Sequence, residues 1–135
     1  MTTLTDLDER IWREELDSFV PERVFDVHTH LYRWDHYGAP DKETSGYRRF
    51  LGDEFAHSSW DLADHYDRLL MPGRRVSRLS FGFPFPTHCD FAAANQFVAD
   101  EVTRDPASAG LMLVHPLMTA EQIERFISHH APEET

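Results

Sequence analysis

Two histidines one residue apart, His28 and His30, end the apolar run Val24-Phe25-Asp26-Val27-His28-Thr29-His30. Side chains two apart on a strand share a face and lie roughly 6.6 Å from one another. Two imidazoles at that spacing can turn to one cation, each nitrogen coming to about 2.0–2.1 Å of a zinc ion. The same alternation puts Asp26 on their face, where it would orient a ligand imidazole or stabilise the floor of the fold. It sends Phe25 and Val27 to the other face, to pack on helices. With nine histidines in 135 residues, chance supplies on the order of 0.6 His-x-His pairs, so spacing alone carries little. The weight comes from context: an apolar strand, an acid two residues earlier, a long aperiodic stretch afterwards and strand–helix units behind.

The elements that must position this pair follow from periodicity. Residues 5–20 read as a helix, with Thr5 as cap, acids at its positive end and Pro21 as its stop. A first strand spans 23–29. Residues 31–57 carry no period, as befits a long functional loop. A helix is predicted over 58–71, a second strand over 75–83, a helix over 90–104 and a third strand over 109–115. Thr119 and Gln122 form a capping box that opens a last helix running to about residue 130. Strand–helix alternation of this kind gives a parallel sheet in the order 1-2-3 with helices packed outside it. In such α/β folds, sites form at the carboxyl ends of the strands, where His28 and His30 fall.

Composition narrows the function classes. The chain has 24 acidic and 13 basic residues, a formal net charge of −11. That balance repels phosphate backbones, so nucleic acid is not an expected partner, and a small-molecule substrate is. One cysteine, Cys89, permits neither an internal disulfide nor a cysteine-rich metal site. No apolar run reaches the ~18 residues of a membrane span, and the first twenty residues lack the character of a signal peptide. A cytoplasmic location is the expectation. The single lysine, Lys42, sits in a polar stretch.

Val24-Phe25-Asp26-Val27-His28-Thr29-His30-Leu31 resembles the first-strand metal motif of the amidohydrolase superfamily. It is most similar to the amidohydrolase-2 branch of metal-dependent hydrolases, lactonases and some decarboxylases. Ala93-Ala94-Asn95-Gln96-Phe97-Val98-Ala99 is similar to that branch too. So is Leu113-Val114-His115-Pro116 with Thr119-Ala120-Glu121-Gln122-Ile123-Glu124, and the resemblance runs from about residue 23 to 130. It implies a (β/α)8 barrel of the TIM type, of which residues 1–135 would be a single partial domain: one helix, then the N-terminal βα units. It also implies a divalent metal cofactor, zinc by preference, with His28 and His30 as two ligands. The family's other ligands and its catalytic acid/base would lie beyond Thr135, so this chain alone is expected to be inactive. The implied reaction is hydrolysis of an ester, lactone or amide by metal-activated water. Non-oxidative decarboxylation on the same scaffold is the near alternative, and a non-catalytic, truncated or partner-binding protein the distant one. A phosphoesterase of the polymerase-and-histidinol-phosphatase type shares the His-x-His. It calls for small and acidic residues next, where Leu31-Tyr32-Arg33-Trp34 stands.

Other residues compete for roles. His115 ends strand three and either touches substrate or metal-bound water, or simply bonds to backbone. His88, Cys89 and Asp90 follow strand two on the same rim, with Cys89 read as a helix cap rather than a nucleophile. Arg33 and Trp34 follow the metal motif; there Arg33 would hold a substrate carboxylate and Trp34 wall a pocket, or both would pack a surface loop. Open sheet edges and a partly bare inner face predict self-association of the isolated chain.

Overall fold

A computed structural model describes residues 3–37, 56–83 and 89–130. The Thr5 hydroxyl accepts the Asp8 amide at 3.3 Å while the Asp8 carboxylate takes the Thr5 amide at 2.8 Å, a reciprocal cap on α1 (Asp6–Ile11). This helix passes directly into a π-helical turn, Trp12–Leu16, so the predicted helix is one segment wound in two ways. Arg74 ties its end down. Its guanidinium donates to the Asp17 carboxylate at 2.7 Å and to the Val20 carbonyl at 3.1 Å, and lies 4.9 Å from the Trp12 ring centre.

The remaining elements are β1 (Arg23–His30), β2 (Tyr32–Arg33), a 3-10 turn (Trp34–Tyr37), β3 (His57–Ser58), α2 (Trp60–Leu70), β4 (Arg75–Phe81), α3 (Phe91–Val102), β5 (Ala109–Gly110) and α4 (Ala120–His130). β1, β4 and β5 form one parallel sheet in that order, as strand–helix alternation requires. The β2–β3 pair is antiparallel, with Tyr32 opposite Ser58 and Arg33 opposite His57. Nothing in the aperiodic stretch predicted it. Among the described residues no helix is long and apolar enough to cross a membrane.

Caps fall where short polar side chains can reach freed amides. Ser59 caps α2, Asp90 caps α3, and Thr119 exchanges bonds with Gln122 ahead of α4. Cys89 does not cap α3. A carboxylate accepts far better than a thiol, so Asp90 takes the role, and Cys89 packs against the buried aromatic cluster of Tyr32, Trp34 and Tyr37.

The third strand is shorter than predicted. After Gly110 the Leu111 amide still reaches the Ser80 carbonyl at 2.8 Å. The Asn95 side chain then takes over, accepting the Leu113 amide at 2.8 Å and donating to its carbonyl at 2.9 Å. One amide side chain thus satisfies the backbone that a longer ladder would have paired.

The two sheet faces differ. Arg78 and Ser80 on β4, and Gly82 just after it, alternate toward the helices. Arg78 lies against Trp60 and Asp67 of α2, and a Cβ on Gly82 would meet Ala94 of α3 at 3.8 Å. The opposite face carries Phe81 and, across on β1, Phe25 and His30.

Candidate metal centre

Strict alternation fails inside β1. Asp26 pairs with Arg78, but Thr29 pairs with Ser80, so three steps on β1 match two on β4. This is a bulge, a device that re-aims side chains. Before it, Asp26 shares the helix-side face with its partner Arg78. After it, Thr29 shares that face with Ser80, and His30 joins Phe81 on the open face. Asp26 therefore lies on the opposite face from the histidines, contrary to the alternation argument. Phe25, expected under helices, stands on the open face and is 50% exposed.

The Asp26 carboxylate reaches the ligand strand through its backbone and not through an imidazole. One oxygen accepts the His28 amide at 2.9 Å and the other the Thr29 hydroxyl at 2.7 Å. Both bonds span the bulge and hold its shape. With the chain so turned, His28 and His30 meet edge to face, ring centres 5.0 Å apart and Nε2 atoms 3.2 Å apart. Two ligands of a tetrahedral zinc ion at about 2.0–2.1 Å stand roughly 3.3–3.4 Å apart, so the pair is spaced as one edge of such a site.

The tautomer follows from the next contact. His30 Nδ1 lies 3.2 Å from the Gly82 carbonyl oxygen, which can only accept. Nδ1 therefore carries the proton, and Nε2 of the neutral ring turns its lone pair to His28 Nε2. Burial, the largest influence, pushes the His30 pKa down and favours the neutral, ligating form; His28 adds to the fall, and the backbone bonds oppose it. Phe81 closes edge-on against both rings at 5.0 and 4.7 Å, and Phe83 stacks on His30 at 4.3 Å.

No protein-family model matches the chain, and neither a curated protein nor a solved structure does.

His115 is not brought to this pair as a third ligand. Its Nδ1 accepts the Leu117 amide at 3.2 Å, so the proton of the neutral ring sits on Nε2. Among the described residues no group of three or more His, Cys, Asp or Glu side chains is placed to hold a metal ion. Arg33 folds back on Asp35 with bonds of 3.1 and 2.9 Å, which raises the Arg33 pKa and lowers that of Asp35. Trp34 is buried with Tyr32, Tyr37 and Phe83. His88 lies outside the described residues. The Cys89 thiol, pushed up to about 11 by burial with Asp90 adding to the rise, is a poor nucleophile.

Sequence reasoning missed the Gly82 carbonyl, Phe81 and Phe83. The aromatic alternation Phe81-Gly82-Phe83 at the end of β4 was their signal. It missed Arg78 as well, which reads as one more charge in a polar strand yet is 1% exposed.

Proposed function

We propose that this chain supplies the first metal-binding strand of a metal-dependent hydrolase acting on an ester, lactone or amide of a small molecule. The observation that carries the reading is the Nε2–Nε2 edge of His28 and His30, with the Gly82 carbonyl keeping the His30 proton on Nδ1 and its lone pair on Nε2. A divalent ion, zinc by preference, would supply a water ionising near pH 7 and a Lewis acid for the scissile carbonyl. His28 and His30 would hold it, and Phe81 and Phe83 would keep bulk water from the buried side of the rings. Two imidazoles are one short of the three protein ligands of a typical catalytic zinc. The third ligand and the acid/base are assigned to further strands of a (β/α)8 barrel.

Support for the barrel is physical. β1 and β5 each have one strand neighbour among the described residues, and the face bearing the histidines leaves Phe25 half exposed. Such a face is built to be covered.

The test is metal content beside hydrolysis of an ester, lactone and amide panel, in the 135-residue chain and in a chain carrying the remaining barrel strands. The longer chain should hold one ion and turn over. His28→Ala and His30→Ala should each abolish both properties. Full metal content and rate in either variant would remove these residues from the site.

A further inference from the structure

Arg78 stands out among the described residues. It is a central-strand guanidinium, 1% exposed, on the face covered by α2. One arm is ion-paired with Asp67 of α2, and the plane lies 4.4 Å from the Trp60 ring centre. The other arm, Nη1, is buried with no hydrogen-bond partner, and so is Ser80 Oγ two residues along the same face. A buried ion pair is commonly no more stabilising than apolar side chains of the same volume. A cation kept there calls for a reason beyond packing.

Position supplies one. Arg78 is the direct partner of Asp26 across the β1–β4 ladder, and paired positions on neighbouring strands lie about 4.8 Å apart. The bulge begins immediately after this pair. Asp26 then bonds the His28 amide and the Thr29 hydroxyl. The Asp26 charge is also felt on α2, at Asp67. Burial lifts the Asp67 pKa, Arg78 pulls it down, and Asp26 adds to the rise. The Asp67–Arg78 ion pair thus stands at the ladder position opposite Asp26, whose carboxylate bonds the backbone that aims His28.

We propose that Arg78 is a positioning residue for the His28–His30 pair, acting through the Asp26 carboxylate opposite it. The inference rests on reading that pair as a metal edge. Without the cation, Asp26 loses the positive charge opposite it on the helix-side face of the sheet. The carboxylate then swings from the bulge, and His28 loses the backbone turn that brings its ring to His30.

The experiment uses the 135-residue chain with uniform 15N labelling and two readouts. Long-range 1H–15N spectra of the imidazoles report ring tautomers without metal, and a competition titration with zinc alone reports affinity. The variants are Arg78→Lys, which keeps a cation, Arg78→Met with Asp67→Leu, which removes the ion pair and strands neither partner, and Asp26→Asn. In the parent chain, His30 should appear as the Nδ1–H tautomer with His28 donating to it. Arg78→Lys should keep this signature. The double variant and Asp26→Asn should both lose the fixed tautomer of His28 and bind zinc about tenfold more weakly, the low end for residues that support metal ligands. A folded double variant with parental spectra and affinity overturns the proposal. If the double variant does not fold, Asp26→Asn decides: unchanged spectra overturn it and a lost tautomer supports it. A parent chain with the expected tautomers but no zinc binding would sink the metal reading and leave the positioning result to stand on the spectra.

Discussion

On the helix side of the sheet Arg78 and Ser80 are sealed, Tyr37 is 1% exposed, and the Tyr37 hydroxyl takes the Phe83 amide at 2.8 Å. On the other side Phe25 is 50% and Val27 67% exposed, beside two imidazoles. One sheet thus carries a finished core on one face and an unfinished one on the other. The finished face fixes the geometry, and the unfinished face carries the histidine pair. The two are joined at the bulge, where Asp26 looks toward the helices while His28 and His30 look away. Substitutions should accordingly have large effects on stability on one side and small ones on the other.

The largest effect is expected at Tyr37. Tyr37→Ala removes a buried ring and the acceptor of the Phe83 amide, and should cost about 3–5 kcal/mol in urea or thermal unfolding. A loss under about 1 kcal/mol would mean that the aromatic corner is loosely packed.

Chemistry at Cys89 sharpens the same point. With its thiol raised to about 11, alkylation by iodoacetamide at pH 8 should run on the order of a hundredfold slower than for a free thiol of pKa about 9. The rate should climb toward pH 11. A raised thiol also stabilises the fold fully below the ordinary cysteine range and loses that contribution as pH rises through about 11. Tyr37, raised further by burial, acts in the same alkaline direction. A melting temperature that falls above about pH 9 checks the sign.

Gly82→Ala is intermediate. Its Cβ would stand 3.0 Å from Leu113 Cδ1 and 3.2 Å from the Tyr37 hydroxyl, an overpacking worth about 1–3 kcal/mol. An unchanged melting temperature would show that the Leu113 side chain gives way freely.

The smallest effect belongs to the open face. Val27→Ser should change stability by no more than about 0.5 kcal/mol, since little of the side chain is buried. It should reduce self-association, read by light scattering. A large loss of stability would mean that the face is already covered.

Much of this was legible in the residues. Thr5, Thr119 with Gln122, and the strand–helix alternation announced the helices and the parallel order, because capping and periodicity are local physics. What escaped was set by contacts distant in sequence. The bulge that parts Asp26 from His28 exists only against β4, so alternation in β1 alone put them on one face. The Asn95 clamp on Leu113 ended β5 early, and the Gly82 carbonyl set the His30 tautomer from 52 residues away. The histidine pair was visible from its spacing, whereas Arg78 was not, since nothing in Arg75-Val76-Ser77-Arg78 says which arginine is buried.

The most direct measurement is a zinc titration of the 15N-labelled chain followed on the imidazole nitrogens. The Nε2 resonances of His28 and His30 should move together with one apparent affinity, while His30 Nδ1 keeps its proton and His115 stays still. Movement of His115 in place of either residue, or of His28 and His30 independently, would contradict the reading of the pair as a metal edge.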